Sequence, residues 1–404
     1  MKKLVIILFI VIFNLFVLTS CNIISHSKGL EFELSEDETY YILKGIGECT
    51  DEKIVIPKKH NGLPVREIGS NAFYYSSSLK SIVIPNSVTT IGHEAFCGCS
   101  SLSNIKISNS VKSIGRGAFG SCTSLTRIKL PNSVKQMERW AFYGCSSLKR
   151  IKISKNVTSI GEFTFSGCTS LSKIKLPNSL TSIGNHAFYG CSRLTKIIIP
   201  ESVTSIGSSA FNNCTSLTRI KLPNSVTSIG ECTFSGCTSL SKIKLPNSLT
   251  SIGNHAFSGC TSLSKIKLPN SLANIGDGAF FDCRSLGYIT IPDSVTNIGY
   301  GAFRGCSNLN VNIPNSVTSI GNFAFDGCTN LTNITIPASV TNIGSFAFLA
   351  CTSLTIYCEA ESKPSGWDPK WNFRSIMPHD SDNILVYWGG EWKYDSKGIP
   401  VPTS

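Results

Sequence analysis

The chain has 404 residues, of which 41% are hydrophobic, and it carries a formal net charge of +12. It has six histidines and lacks the G-x-S-x-G, H-E-x-x-H and phosphate-loop motifs, which argues against serine hydrolases, zinc peptidases and nucleotide-binding enzymes. Its aspartates and glutamates show no paired arrangement on neighbouring repeats of the kind that glycosidases use. We therefore expect no enzymatic activity and no cofactor.

The first 20 residues have the features of an export signal. Lys2 and Lys3 precede an apolar run over residues 4–18, which is shorter than the about 20 residues of a spanning helix. The sequence Leu-Thr-Ser-Cys at residues 18–21 resembles the bacterial lipobox, in which the cysteine is acylated. We predict a lipoprotein signal peptide over residues 1–20 and a membrane anchor at Cys21; ordinary signal cleavage and an uncleaved anchor are the alternatives. The residue after Cys21 is Asn22 rather than Asp, which is compatible with transport of the lipoprotein to the outer surface but does not prove it.

An acidic and aromatic segment precedes the first repeat. It includes Glu31, Phe32, Glu33 and the pair Tyr40 and Tyr41. Because a repeat array has raw ends that must be covered, we predict that residues 21–48 form an N-terminal cap, with this segment paired as a hairpin over the first coil.

A period of 23 residues dominates the chain. Residues 166–188 recur letter for letter at 235–257, and their separation of 69 is three periods. Each unit reads approximately C-x-x-L-x-x-I-x-[IL]-P-x-S-[VL]-x-x-I-G-x-x-A-F-x-x. Thirteen phenylalanines mark the array, with one unit shortened to 22: Phe73, Phe96, Phe119, Phe142, Phe165, Phe188, Phe211, Phe234, Phe257, Phe280, Phe303, Phe325 and Phe348.

The repeat pattern predicts short strands and tight turns. An alternating run such as R-I-K-L at residues 127–130, closed by Pro131, is typical of a strand that ends at the proline. The I-G and A-F pairs indicate a turn and a packed corner. One coil cannot bury its own apolar side, so the coils must stack. We predict a right-handed β-rich solenoid with a parallel β-sheet over residues 49–357.

The repeats resemble BspA-like leucine-rich repeats, also called the Treponema-pallidum-type repeat. The matching motifs are the L-x-x-I-x-[IL]-P strand, the I-G-x-x-A-F corner and the cysteine before the next leucine, over residues 49–357. The tail motifs C-E-A at 358–360, K-P-S-G-W at 363–367 and Y-W-G-G at 387–390 resemble the end of such proteins. The resemblance implies a bacterial surface protein that adheres to host matrix or plasma proteins, or to other bacteria.

Seventeen cysteines in an exported chain would ordinarily indicate disulfides. Neighbours in one column have parallel Cβ vectors, however, which is a poor geometry for a bridge, so we predict a buried, reduced ladder; pairing of some of them is the alternative. Cys49 begins this ladder on a degenerate coil, whereas Cys97, Cys232 and Cys358 fall outside it and are candidates for reactive or paired thiols. The column contains Cys99, Cys122, Cys145, Cys168, Cys191, Cys214, Cys237, Cys260, Cys283, Cys306, Cys328 and Cys351.

Residues 358–404 are predicted to form a C-terminal cap. Four of the five tryptophans lie there: Trp367, Trp371, Trp388 and Trp392. Aromatic residues gathered past the last repeat are most simply packed on the final coil. A carbohydrate-stacking site is the alternative.

The central coils carry a large excess of positive charge. Residues 100–270 contain 21 Lys and Arg against four acids, a balance of +17. Alternate strand residues point to opposite faces, so Arg127 and Lys129 face outward if Ile128 and Leu130 face the core. We call the resulting two columns of outward cations the basic ridge: Arg127, Arg150, Lys173, Lys196, Arg219, Lys242 and Lys265 in one, and Lys106, Lys129, Lys152, Lys175, Lys221, Lys244 and Lys267 in the other.

The basic ridge predicts a binding site for an extended polyanion. Eight strands about 4.8 Å apart give a length on the order of 34 Å. Like charges across a strand pair repel and so destabilise the sheet. Mixed charges would serve solubility better, so solubility alone is a poor explanation of the ridge. Sulfated glycosaminoglycans, acidic mucins or polysaccharides and acidic protein surfaces would fit. Nucleic acid is not expected, because the ridge lacks interleaved aromatic residues. The alternative is that duplication copied the cations without a function.

His186 and His255 occupy equivalent positions three coils apart, about 14 Å at strand spacing, and so cannot share a metal. We interpret both as surface turn residues and expect no metal site. Together, these observations predict a surface lipoprotein adhesin. A structural or antigenically variable envelope coat protein without a specific ligand is the main alternative, and an exported carbohydrate-active enzyme is a more distant one.

Overall fold

The computed structural model describes residues 26–375 and 383–403. In these residues the chain forms a parallel β-solenoid of about 14 turns of about 23 residues, without helices. The predicted stacked solenoid is therefore confirmed. The predicted signal peptide and Cys21 lie outside the described residues.

Each coil contributes a first strand, which covers the alternating run identified in the sequence. Equivalent residues of successive coils lie side by side, so that Ile128 pairs with Ile151 and Ile151 with Ile174. The longest sheet of first strands has seven members and runs from Arg127–Lys129 to Lys265–Lys267. The first strands are Lys53–Val55, Ser81–Val83, Asn104–Lys106, Arg127–Lys129, Arg150–Lys152, Lys173–Lys175, Lys196–Ile198, Arg219–Lys221, Lys242–Lys244, Lys265–Lys267, Tyr288–Thr290, Asn310–Asn312, Asn333–Ile336, Thr355–Cys358 and Leu385–Tyr387.

Each coil also contributes a second, very short strand, where the sequence pattern predicted only a turn. The residue after this strand has to be glycine, because a Cβ on Gly115 would come within 2.7 Å of the Gly92 carbonyl carbon in the preceding coil. The second strands form parallel sheets of their own. They are Leu63–Ile68, Thr90–Ile91, Ser113–Ile114, Gln136–Met137, Ser159–Ile160, Ser182–Ile183, Ser205–Ile206, Ser228–Ile229, Ser251–Ile252, Asn274–Ile275, Asn297–Ile298, Ser319–Ile320, Asn342–Ile343 and Gly366–Trp367.

The repeated phenylalanines form a continuous stack through the core. Their side chains are fully buried, and successive rings lie 5.2–5.7 Å apart between centroids with interplanar angles of 3–19°. Burying one such side chain contributes about 1.5–3 kcal/mol. Because each ring packs against rings from the neighbouring coils, this energy is available only when the coils stack.

The cysteine column lies beside this stack, and its thiols are free. Each of the twelve thiols donates a hydrogen bond to a phenylalanine carbonyl oxygen of the preceding coil, with Sγ–O distances of 3.0–3.3 Å. Cys122, for example, donates to Phe96. The predicted reduced ladder is present, and the thiols link coils by hydrogen bonds rather than disulfides.

A hairpin covers the N-terminal end of the second-strand sheet. Glu31–Leu34 pairs antiparallel with Tyr41–Gly45, which pairs parallel with Leu63–Ile68. Lys59–His60 pairs antiparallel with the beginning of this last strand. The hairpin predicted within the acidic segment is thus present.

At the C-terminal end, both sheets extend into residues 358–404. Gly366–Trp367 pairs with Asn342–Ile343, Leu385–Tyr387 pairs with Thr355–Cys358, and Trp392–Tyr394 forms an antiparallel pair with Pro400–Pro402.

Two of the four tryptophans of this segment, Trp367 and Trp371, pack on the last coil, whereas Trp388 and Trp392 are half-buried. Trp371 lies edge-on to Phe348, at 6.1 Å between centroids, and closes the phenylalanine stack. Trp367 donates from Nε1 to the Val340 carbonyl at 3.0 Å. Both side chains are buried, which makes them unavailable for stacking on a sugar.

Candidate functional site

The first strands place the basic ridge on the outer face of the solenoid. Ile128 and Leu130 are buried, whereas Arg127 and Lys129 are exposed, and the same alternation recurs in the following coils. All fourteen cations of the ridge are exposed. The exposure follows from the strand pleat, since the isoleucine between each pair of cations points into the core.

The strand register aligns the cations into the two predicted columns. Arg127 lies beside Arg150, and Lys129 beside Lys152. The parallel pairing then continues through Lys173 and on to Lys265–Lys267. Thirteen of the fourteen cations belong to this seven-stranded sheet.

Lys106 is the exception, because its strand is hydrogen-bonded to Ser81–Val83 rather than to Arg127–Lys129. Lys106 and Lys129 nevertheless line one surface depression of about 580 Å³. The ridge therefore extends across the break between the two sheets.

Two side chains interrupt the positive charge near the middle of the ridge. Ile198 replaces a cation in the second column, and 54% of its surface is exposed. Glu201 reaches back to Lys221, with 3.1 Å between Oε1 and Nζ. In the part of the chain that the structure describes, no other ridge cation forms an ion pair. Sequence reasoning missed the Glu201 contact, although neighbouring coils carry Asn178 and Asn224 at this position.

Ile198 lies in a second depression of about 410 Å³, bordered by Lys196, Arg219, Lys221 and Lys244. An apolar side chain surrounded by cations can contact the non-polar part of a ligand while the cations bind its anionic groups. Each exposed ion contact contributes less than about 1 kcal/mol. A tight complex therefore requires a ligand that is long enough to contact many coils at once.

The comparisons with known proteins identify the repeat. A model of the BspA type leucine rich repeat region matches residues 66–195, 181–310 and 308–363. The chain belongs to the BspA-type leucine-rich repeat family. A search of curated proteins found no match.

Three solved structures illustrate the similarity of this BspA-type chain to known proteins. A leucine rich cell surface protein from Faecalibacterium prausnitzii is 32% identical, with a TM-score of 0.60, over 88% of this chain and 98% of that one. A leucine-rich repeat protein from Bacteroides ovatus is 30% identical, with a TM-score of 0.55, over 77% and 94%. The pneumococcal vaccine antigen PcpA shares the fold at 21% identity, with a TM-score of 0.55, over 90% and 98%.

Membership of the BspA-type family suggests export and a surface or binding role. Solenoids of this family are typically non-enzymatic. Over residues 26–375 and 383–403, no group of three His, Cys, Asp or Glu side chains is placed to hold a metal ion. Nor does this part of the chain contain a helix that is long and apolar enough to cross a membrane.

The histidines differ from each other in the structure. His255 is exposed, as predicted for a turn residue, but His186 is half-buried. Its ring stacks on Phe163 at 4.4 Å between centroids, and its Nδ1 atom has no hydrogen-bond partner. His186 lies in a turn, as predicted, but the aromatic ring of Phe163 in the preceding coil covers part of it.

The three thiols outside the column are not activated for reaction. Burial raises the pKa of Cys97 and Cys232, and the carboxylates of Glu94 and Glu231 raise these pKa values further. Cys358 is fully buried within its strand, and burial raises its pKa to about 12. The expectation that Cys358 is a reactive or paired thiol is therefore wrong. Thiolates are the reactive form, so these environments suppress thiol chemistry.

Proposed function

We propose that this protein is a surface adhesin whose basic ridge binds anionic macromolecules of a host. The observation that carries the proposal is the strand register, which brings cations of seven consecutive coils into two columns, of which only the second is interrupted, at Ile198. Suitable ligands are sulfated glycosaminoglycans, acidic mucins or polysaccharides, and acidic faces of matrix or plasma proteins. These ligands share a high density of negative charge along an extended surface.

A salt-resolved binding measurement tests this proposal. The mature chain, with Cys21 replaced, would be applied to immobilised heparin between 20 and 500 mM NaCl, with neutral dextran as the control matrix. We expect retention at low salt that weakens steeply toward physiological salt, because exposed charges are screened over about 8–10 Å there. A coat protein without a ligand would elute with the dextran profile at every salt concentration, and that result would contradict the proposal.

The same measurement, repeated with mucins and acidic matrix proteins, separates the ligand classes. A sulfated glycan presents charge along a flexible chain, whereas an acidic protein also presents apolar side chains for the exposed Ile198. Replacing Ile198 by Lys, which completes the second column, should therefore strengthen heparin binding and weaken the binding of an acidic protein ligand.

We further propose that a lipid on Cys21 anchors the protein to the bacterial envelope. The lipobox-like residues 18–21 support this, as does the surface role of the family. We expect the protein from a bacterial host to partition into the detergent phase and to carry the mass of an acylated Cys21. The Cys21→Ala variant should lose both properties. A wild-type chain with an unmodified, cleaved N-terminus would disprove the anchor.

A further inference from the structure

A pocket outside the basic ridge lies where one coil lacks two side chains. Gly117 and Gly120 occupy positions that hold Glu94 and Cys97 in the preceding coil, and Trp140 and Tyr143 in the following one. Both glycines are buried beneath the pocket that their neighbours enclose. Its volume is about 340 Å³, within the usual range for small-ligand sites of roughly 300–1,000 Å³.

One wall of the pocket is aromatic. Trp140 and Tyr143 are 38% and 39% exposed, and their ring centroids lie 5.2 Å apart. Behind Trp140, the ring of Phe163 lies at 4.8 Å, and His186 stacks on Phe163 in turn. This row holds the indole in place while leaving part of its surface free.

The backbone under Trp140 is unfavourable for a residue of this size. Trp140 has φ of 66°, in the left-handed region that suits glycine. The same turn position is left-handed in the other coils, whether it holds a glycine such as Gly117 or a larger residue such as Phe163, so this conformation belongs to the repeat. The conformation presents the indole to the pocket.

The polar groups of the pocket balance to zero charge. Arg116 and Arg139 contribute two guanidinium groups, and Glu94 and Glu162 contribute two carboxylates. Arg116 Nη2 lies 3.3 Å from Glu94 Oε1, which leaves the remaining donors and acceptors of both groups free to bind a ligand. This combination of donors and acceptors matches hydroxyl groups, each of which can donate and accept.

From these features we propose that the pocket binds a neutral sugar ring of a glycan. The apolar C–H face of a pyranose would stack on the indole of Trp140, and its hydroxyl groups would bond to the arginines and glutamates. A quaternary ammonium group also favours aromatic walls, but two guanidinium groups at the rim would repel it. An anion would meet the two carboxylates. The neutral ligand is thus the one that the charge balance selects.

The sugar pocket and the basic ridge use different parts of each coil. The pocket is formed by the turns that follow the second strands, whereas the ridge lies on the first strands, and no residue is shared. The two sites should therefore bind independently. They should also respond differently to salt, since only the ridge depends on net charge.

Affinity electrophoresis tests the sugar pocket. The mature chain would be run through native gels that contain mannan, galactan, amylose or laminarin, each at several concentrations and at two salt concentrations. We expect at least one of these neutral polysaccharides to retard the protein, and to do so equally at both salt concentrations. Retardation by none of the four, or retardation that disappears at the higher salt, would overturn the proposal.

Two substitutions locate the binding. Trp140→Ser removes the aromatic wall, and Ser209 already occupies the equivalent left-handed position. Gly120→Tyr fills the pocket, and Tyr74, Tyr143 and Tyr189 show that the coil accepts this side chain there. Each variant should need at least ten times more polysaccharide for the same retardation, with an unchanged circular dichroism spectrum. Unchanged retardation of both would place the sugar site elsewhere and refute the proposal.

Two further arms separate this site from other ligands and from the ridge. The fluorescence of Trp140 is measured as the difference between the wild type and Trp140→Phe. Choline should leave this fluorescence unchanged. Quenching by choline but not by sugars would show that the pocket binds a cation and would contradict our proposal. A variant with six ridge cations changed to serine should keep its retardation. Loss of retardation in that variant would assign sugar binding to the ridge instead.

Discussion

Raising the pH above about 8.5 should unfold the solenoid through its cysteine column. Burial raises the pKa of Cys145 and Cys237 to about 12 and that of Cys168 and Cys191 well above the ordinary value, whereas a thiol in the unfolded chain has a pKa of about 8.5. Above pH 8.5 the unfolded state therefore binds fewer protons than the folded state, so the free energy of unfolding falls as the pH rises. The loss should continue to about pH 12.

The expected effect is large because twelve thiols act together. Each thiol lowers the free energy of unfolding by about 1.4 kcal/mol per pH unit above its pKa in the unfolded chain. The whole column therefore lowers it by more than about 10 kcal/mol per pH unit. Total stabilities of domains are about 5–15 kcal/mol. We expect cooperative loss of the circular dichroism signal within one to two pH units above 8.5, under reducing conditions.

A serine variant isolates the thiols from other alkaline titrations. Changing Cys122, Cys145, Cys168, Cys191, Cys214 and Cys237 to serine keeps a donor toward each phenylalanine carbonyl but removes six ionisable groups. Urea unfolding at successive pH values gives the slope of the free energy against pH, which should fall to about half of the wild-type slope. Equal slopes in the two proteins, or rapid alkylation of the folded wild type at pH 9.5, would show that the thiols do not control this transition.

Removing six cations from the basic ridge should abolish retention on heparin at the low salt concentrations where the wild type is retained. The substitutions are Lys173, Lys175, Arg219, Lys221, Lys242 and Lys244 to serine. At about 0.5 kcal/mol for each exposed ion contact, six contacts amount to about 3 kcal/mol, or roughly a hundredfold in affinity. The side chains are exposed, so the circular dichroism spectrum should not change. Heparin retention equal to that of the wild type would reject the ridge as the site.

A matched control separates the ridge from net charge alone. It changes six exposed lysines that lie outside the ridge to serine: Lys58, Lys59, Lys112, Lys135, Lys393 and Lys397. This variant loses the same charge but should bind heparin nearly as the wild type does. A loss as large as in the ridge variant would mean that heparin senses only the total charge. In the opposite direction, Glu201→Gln releases Lys221 and should strengthen binding modestly, whereas Glu231→Gln should not.

The repeat made most of the fold predictable from the sequence. The spacing of the phenylalanines and cysteines specifies stacked coils, and the alternation around Ile128 specifies which side chains face outward. The second strands were not predictable in this way, because a two-residue strand such as Ser113–Ile114 has no alternation to detect and the following glycine is typical of a turn. Their strand geometry depends on hydrogen bonds to the neighbouring coils, which exist only after stacking.

The candidate sites were predictable to different extents. The ridge follows from register alone, since equivalent residues become neighbours. The Glu201–Lys221 contact and the sugar pocket depend on differences between coils, such as the absence of side chains at Gly117 and Gly120. Aligning the coils column by column, and looking for departures from the consensus, would have revealed both. The burial of Cys358 depends on the strand that follows the last repeat, where the consensus ends.

The phenylalanine stack makes the coils interchangeable, and this has an evolutionary consequence. Each of the twelve coils from Phe96 to Phe348 presents the same ring and the same thiol to its neighbours, so a block of three coils can be gained or lost by recombination without disturbing either terminus. One such block, residues 166–234, carries five ridge cations. Alleles that differ by one block would have basic ridges that differ by about 14 Å in length and by five cations. Copy number could therefore change the length and the charge of the basic ridge stepwise, with no point mutation at the surface.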